Sequence, residues 1–351
     1  LRGRLDVIPL FFLVSGEHPT LPYAEIRAIL ESENILYDEL ERLPQILRLN
    51  SSASCVQEVS SRSSLTKVCC LELFKCKANK RSILQNISDM LYDQFIDSGH
   101  TFAVRVRRIQ RSSPHLDIEK LEGEIGRGIL NKKRGIRVRL SSPDKTFFGA
   151  LTEKSFVFGL KLAEVVPKPF HKRRGKNRPF FHPSTLPPKL ARCMVNLARP
   201  NVDCVVLDPF CGSGSILIEA GLIGCRVLGS DVKDLMVKGS LLNMRFFGVE
   251  ALGISIAEAG KLPFRRADRI VTDPPYGKST TTLGYTVREV ASRFLSEGSD
   301  TLPKGGYISM ASPRNLGIGE IGEDEGFKVI EKHLVYVHRS LTREIVIFKK
   351  E

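Results

Sequence analysis

The sequence predicts an α/β protein whose second half is a doubly wound parallel sheet, with two smaller α+β modules in front of it. Three observations carry this expectation. From residue 181 onward, apolar strand-like runs at 205–207, 226–229, 252–256 and 269–272 start about 20 residues apart. Helical segments at 215–222 and 232–247 separate the first three, which is the spacing that parallel strands with right-handed crossovers require. Finally, the 351 residues are 42% hydrophobic and 26% charged, enough to bury cores in two or three domains and too apolar for a disordered or fibrous chain.

Taken in order, residues 5–14 are an apolar run closed by Ser15 and Gly16, which predicts a buried strand. The run is short, contains Pro9 and precedes no small-residue cleavage site, so neither a signal peptide nor a membrane span is expected. Residues 23–32 combine good helix formers with apolar positions at helical spacing, and short strand-like runs to about 76 complete a first module, 1–78, that shows no chemistry. In a second module, 79–165, Ile83, Ile87, Met90, Leu91 and Phe95 recur at helical spacing, 101–107 alternates as a strand and 117–130 predicts a helix. Strands at 137–140 and 147–151 flank a Ser-Ser-Pro-Asp turn. Segment 166–180 holds three prolines and six basic residues without an acid, and is expected to be a positive linker strap lacking a regular helix. The remainder, 181–351, is the α/β domain.

Lys and Arg number 53 against 39 Asp and Glu, a formal charge of +14, which points to a polyanionic partner, with nucleic acid first. The excess is uneven: residues 1–180 carry 31 basic and 20 acidic side chains, residues 181–351 only 22 and 19. Arg105, Arg107, Arg108 and Arg111 form one basic group, Lys132, Lys133 and Arg134 with Arg137 and Arg139 a second, and Lys172, Arg173, Arg174 and Arg178 a third. Each is either a solvated face or a phosphate-contacting surface. Eight cysteines, none in a C-x-x-C pair and none spaced with the histidines as ligands, predict reduced thiols, no metal site and a cytoplasmic protein.

The chemistry is concentrated at strand ends. Asp208-Pro-Phe-Cys-Gly-Ser-Gly214 follows the first α/β strand and opens a helix. Gly212 and Gly214 permit a tight turn and a close backbone approach. Both phosphate-loop patterns are absent, and the leading Asp208 favours a cationic or hydroxyl-bearing ligand. The second strand ends in Asp231, about 20 residues beyond the glycines, where a carboxylate takes ribose hydroxyls on such a sheet; a surface turn aspartate is the bland alternative. Glu258 follows the third strand as a candidate acceptor for an exocyclic amine or a solvated loop residue, and Asp273-Pro274-Pro275-Tyr276 follows the fourth.

In this order the motifs resemble class I, S-adenosylmethionine-dependent methyltransferases acting on exocyclic amino nitrogens. The segment R-P-F-F-H-P-S-T-L-P-P-K-L-A-R from Arg178 to Arg192, with V-N-L-A-R after it, narrows the resemblance to the tRNA guanine-10 N2-methyltransferases, nearest to the archaeal branch. It implies a Rossmann-like methyltransferase domain (181–351) behind a ferredoxin-like domain (1–78), a THUMP RNA-binding domain (79–165) and the basic linker (166–180). It further implies cofactor contacts from Thr185, Leu186, Asp208, Pro209, Phe210, Gly212, Ser213, Gly214, Asp231, Val232, Glu258 and Ala259. Catalysis would fall to Asp273, Pro274, Pro275 and Tyr276, and tRNA contact to Arg105, Arg107, Arg108, Lys132, Lys133, Arg134, Lys172, Arg173, Arg174 and Arg178. His182, followed by proline, is read as structural. Two departures stand out: Glu258 where the family usually has Asp, and Ser215 where a glycine is frequent. Relatives associate with a small zinc-binding activator protein, for which Leu241, Phe246, Phe247 and the run 329–337 are candidate contacts. The competing readings are a THUMP methyltransferase for another tRNA guanosine, a DNA amino-methyltransferase, and a non-catalytic tRNA-binding protein.

Overall fold

The computed structural model describes residues 7–275, 285–339 and 341–351. Contacts divide the chain into two units, one of Leu1–Glu17, Ile35–Ser61 and Thr66–Val165, the other of His18–Asn34, Arg62–Leu65 and Val166–Glu351. This grouping differs from the consecutive segments 1–78, 79–165, 166–180 and 181–351 expected from the sequence.

The first unit is built on one sheet in the order β2-β3-β1-β4-β8-β7-β5-β6. Its strands are β1 (Val7–Val14), β2 (Tyr37–Leu43), β3 (Ile46–Ser52), β4 (Thr66–Lys77), β5 (Thr101–Arg108), β6 (Arg137–Val138), β7 (Lys145–Leu151) and β8 (Ser155–Glu164). β1 is a central strand, paired antiparallel with both β3 and β4, and its run Leu10–Val14 is buried on both faces, which calls for apolar residues throughout. At the edge, β2 carries Asp38, Glu39 and Glu41 between its apolar residues, which discourages further pairing. With helix α2 (Ser54–Arg62) between β3 and β4, the arrangement of β1 to β4 is the ferredoxin-like one. Helix α3 (Lys80–Asp89) starts at Asn79, whose side chain accepts the Ser82 N–H at 2.9 Å. It stops short of the periodicity that ran to Phe95: the Tyr92 hydroxyl donates to the Ile87 carbonyl, and Leu91 points to solvent. Helix α4 (Ile118–Lys132) lies over the β5 side, and Phe102, Phe147 and Phe158 fill the core beneath it.

In the second unit the sheet runs β11-β10-β9-β12-β13-β15-β14. It comprises β9 (Val205–Asp208), β10 (Arg226–Asp231), β11 (Ala251–Ile256), β12 (Arg269–Thr272), β13 (Tyr307–Pro313), β14 (Phe327–His338) and β15 (Leu341–Lys350). β9 to β13 are parallel neighbours, whereas β15 runs antiparallel between β13 and β14. Helices α6 (Pro188–Leu197), α7 (Ser215–Gly221), α8 (Asp234–Phe246), α9 (Val287–Thr301) and α10 (Ile318–Asp324) accompany the strands. The four sequence-predicted strands and two helices of this half are present within one or two residues.

Helix α1 (Leu21–Ser32) joins this second unit because it packs on α6, with Leu21, Ala24 and Ala28 in one cluster with Leu190, Met194 and Leu197. Its Glu25 is fully buried, and the carboxylate accepts from Ser63 Oγ, Ser64 N and Oγ, Leu65 N and Asn196 Nδ2, all within 3.0 Å. A buried carboxylate without those donors would be costly, which ties 62–65 and α6 to this helix. Arg199 adds ion pairs to Glu31 of α1 and Glu331 of β14.

The strap also departs from expectation, since it contains helix α5 (Lys168–Lys172) and a 3-10 turn at Gly175–Asn177. Pro167 and Pro169 stand at the start of α5, where a missing N–H removes no helical hydrogen bond, so these prolines open the helix instead of forbidding it. Among the described residues, no helix is long and apolar enough to cross a membrane, and no cluster of three or more metal-ligating side chains occurs.

Candidate active site

The parallel strands β9, β10 and β12 finish together, and the turns that follow them surround a cavity of about 400 Å³. β9 and β10 are in register with Asp208 opposite Gly229, so Asp208, Asp231 and Asp273 are delivered to one edge of the sheet. That edge, at the carboxyl ends of strands in an open α/β sheet, is where such folds bind ligands.

The glycine turn is shaped by two left-handed backbone positions. Gly212 has φ +49° and donates its N–H to Asp231 Oδ2 at 3.1 Å, while Asp231 Oδ1 accepts the Lys233 N–H at 3.0 Å. Gly214 has φ +81°, and a Cβ there would come within 2.6 Å of the Ser240 hydroxyl. Gly214 and Pro209 are absent from the cavity wall; they shape the turn, Pro209 through its carbonyl, which accepts from Ser230 Oγ. The other cofactor candidates, Thr185, Leu186, Asp208, Phe210, Gly212, Ser213, Asp231, Val232, Glu258 and Ala259, line the cavity. Thr185 Oγ1 lies 3.0 Å from Ser213 Oγ, and the Leu186 carbonyl accepts from Ser215 Oγ, which fastens the segment before α6 to the glycine turn.

Asp208 lies almost wholly under this surface, at 1% exposure. Burial pushes its carboxyl up to about 7, opposed by the Thr272 hydroxyl at 2.8 Å and the Phe210 N–H at 3.1 Å, both of which donate to Oδ1, and reinforced by the nearby charges of Asp273 and Asp231. Asp273, Pro274 and Pro275 line the same cavity; Tyr276 lies outside the described residues. Glu258 pairs with Arg293 at 2.8 Å, and the Arg293 guanidinium sits 4.2 Å from the centre of the Tyr285 ring.

Several wall residues were not expected. His182, expected to be structural, lines the cavity, and its carbonyl accepts from Thr185 Oγ1 at 2.6 Å. Arg293 and Arg343 reach the cavity from α9 and β15, and no local motif marks either.

The basic candidates fall into two groups. Arg107, Lys132, Arg134, Lys172 and Arg174 are exposed. Arg105 is tied to the carbonyls of Val104 and Leu140, Arg108 to that of Leu116, and Lys133 to Asp93. Arg173 and Arg178, expected to contact tRNA, are instead engaged within the fold. Arg173 forms a two-point pair with Glu219, whose side chain is fully buried and also meets Arg192 at 2.9 Å. Arg178 is buried, donating from Nε to the Arg173 carbonyl and from Nη1 to Ser215 Oγ at 2.8 Å. These two arginines fasten the strap to α7 instead of facing an RNA.

Family models match the chain at two places, a THUMP domain over residues 77–160 and an RMKL-like methyltransferase domain over 175–345. A tRNA (guanine(10)-N2)-dimethyltransferase of Methanothermobacter thermautotrophicus is 34% identical over 352 aligned residues, 97% of this chain and 99% of that protein. Its counterpart in Methanocaldococcus jannaschii is 31% identical, over 97% of this chain and 99% of that protein. Among solved structures, TrmN from Thermus thermophilus is similar with a TM-score of 0.56 at 19% identity, covering 98% of this chain and 100% of that one, which bears on the fold.

Proposed function

The chain belongs to the tRNA (guanine(10)-N2)-dimethyltransferase family, and on that premise we propose that it transfers methyl from S-adenosylmethionine to the exocyclic N2 of guanosine 10 in tRNA, giving first the monomethyl and then the dimethyl base. The observation that carries the residue assignments is the meeting of the Gly212 turn, Asp231 and Asp273-Pro274-Pro275 around one cavity.

The wall suits the cofactor. Gly212 offers a turn without a side chain, Asp208, Asp231 and Glu258 make the surroundings rich in acceptors, and the volume falls in the range of small-molecule sites. Such an acceptor set fits a cation bearing ribose hydroxyls and an adenine amine, not a phosphate. Asp231 would accept from the ribose, Glu258 and Ala259 would border the adenine, and Thr185, Leu186 and Ser213 would close the near side. When bound, S-adenosylmethionine supplies an activated methyl and accepts the electron pair of the breaking C–S bond on sulfur.

The protein's share is alignment and charge. A guanine N2 lone pair is delocalised into the ring, so the amine must be held for its lone pair to turn toward the methyl carbon. Asp273 and the Pro274 carbonyl would accept the two N2 hydrogens and stabilise the positive charge that N2 acquires as its bond to carbon forms. The prolines limit how far this turn can move. The N2 proton becomes acidic only after transfer and can then leave, so no strong base is needed.

The exposed Arg107, Lys132, Arg134, Lys172 and Arg174 would meet tRNA phosphates. A small activator protein would meet apolar side chains exposed on α8 and the edge strand β11, among them Leu242, Phe246, Leu252 and Ile256. Of the residues expected at that contact, Phe246 is exposed, as are Ile330, Leu334, Tyr336 and Val337 of the edge strand β14, whereas Phe247 packs on the core and Val335 is buried.

The test is labelled methyl transfer to an unmodified tRNA transcript and to one with guanosine 10 replaced. Methylation of the first alone is expected. Methylation of both would defeat the position, and of neither would favour a non-catalytic tRNA-binding protein.

A further inference from the structure

We propose that Arg343 is a positioning residue for methyl transfer, holding the Asp273 carboxylate ionised and oriented as an acceptor. The proposal rests on the role assigned to Asp273 above.

The topology explains how Arg343 arrives. β9, β10, β12 and β13 are parallel and end at the cavity edge, so a residue near the start of an antiparallel neighbour must lie at that same edge. Arg343 stands near the start of β15, opposite Pro313, the last residue of β13, and opposite Val335 of β14. Its Nη2 lies 3.1 Å from Asp273 Oδ2, and the two side chains are only 13% and 14% exposed. Both line the cavity.

The charge balance gives this pair its purpose. Asp231 and Glu258 on the same cavity wall oppose a further negative charge, as Asp208 does once it is ionised, and the mutual influence of Asp208 and Asp273 is unfavourable to both carboxylates. Among the described residues, Lys233 and Arg293 supply the other positive charges on the wall, Arg293 already paired with Glu258, and His182 adds a titratable imidazole. Arg343 places a cation within hydrogen-bonding distance of Asp273. A deprotonated Asp273 accepts with both oxygens and carries the charge that offsets a cationic N2; a protonated one turns one oxygen into a donor and loses that charge. By keeping the carboxylate poorly basic, Arg343 also suits it to a role as acceptor and not as base.

The experiment is single-turnover methylation at saturating tRNA and S-adenosylmethionine, followed from pH 5 to 9, for the parent, Arg343→Met, Arg343→Lys and Asp273→Asn. Arg343→Met is expected to lower the rate at pH 7 by about 10- to 100-fold and to move the acid limb of the profile upward by about one pH unit or more, so that part of the loss is recovered at high pH. Arg343→Lys, which keeps the charge but not the planar fork, is expected to retain the parent acid limb with a smaller loss, and it carries the test if the methionine variant does not fold. Cofactor affinity should stay within about threefold of the parent, since Arg343 is assigned no cofactor contact. A uniform loss of rate with the parent acid limb, or a parent rate in Arg343→Met, overturns the proposal. Asp273→Asn separates the two claims: a parent rate there overturns the role of Asp273 itself, while a large loss there beside a parent profile in Arg343→Met overturns only the role of Arg343.

Discussion

The Asp231 carboxylate accepts the backbone N–H of Gly212 at 3.1 Å, so the tip of β10 braces the glycine turn that follows β9. One side chain therefore shapes the turn and lines the cavity proposed to hold the cofactor's ribose. Asp231→Ala removes both contributions and is expected to weaken S-adenosylmethionine binding by about 10-fold or more, read by calorimetry. An unchanged affinity removes Asp231 from the site.

Asp273 is expected to behave differently. Asp273→Ala should lower the single-turnover rate by about 100-fold or more, because the developing charge on N2 loses its acceptor, while cofactor affinity stays near the parent value. A variant with the parent rate sinks the catalytic assignment.

Asp208 gives a pH signature in stability. Its folded carboxyl, pushed up to about 7 by burial, holds a proton that the unfolded chain releases near its ordinary value of 3.8. The folded form therefore binds more protons between those values, and this contribution to stability is full below about 4 and is lost as pH rises toward 7. Urea unfolding of Asp208→Asn should show a flatter profile than the parent across that window. Identical slopes would exclude the buried carboxyl as their source.

Glu219 joins the strap to α6 and α7 through Arg173 and Arg192, with its own side chain fully buried. Glu219→Ala strands two largely buried guanidinium groups and should cost about 3–5 kcal/mol in unfolding free energy. A loss below about 1 kcal/mol would mean that water or other acceptors already satisfy those arginines.

For tRNA, the expectation is a steep fall of affinity with salt, dominated by residues before 180. Reversal of exposed Arg107, Lys132 or Lys172 to Glu should weaken binding and reduce the salt slope by about one for each phosphate that is no longer neutralised. Arg178→Ala should instead disturb cofactor binding or stability, since it holds Ser215 and the strap backbone. Point variants of the full chain are the right test here, because a 181–351 fragment lacks α1 and leaves the α6 face and Asn196 without their partners.

What the sequence determined alone was the set of features that are local. A strand, the residue at its tip and the turn after it are contiguous, so Asp208, Asp231 and Asp273 could be placed at one sheet edge from spacing, and the glycines between them from the backbone they permit. The basic excess of the first 180 residues was equally plain. Tertiary structure decided everything that depends on a partner distant in the chain. Arg173 and Arg178 look like strap charges until Glu219 and Ser215 are seen to hold them. Helix α1 belongs by sequence order to the first module, yet its apolar face is completed by α6. Arg343 has no motif of its own and acquires meaning only because an antiparallel strand begins beside Asp273. Composition and periodicity register what a residue is and which way its element faces; whether a charge is solvated, buried or paired is fixed by the groups that folding brings to it.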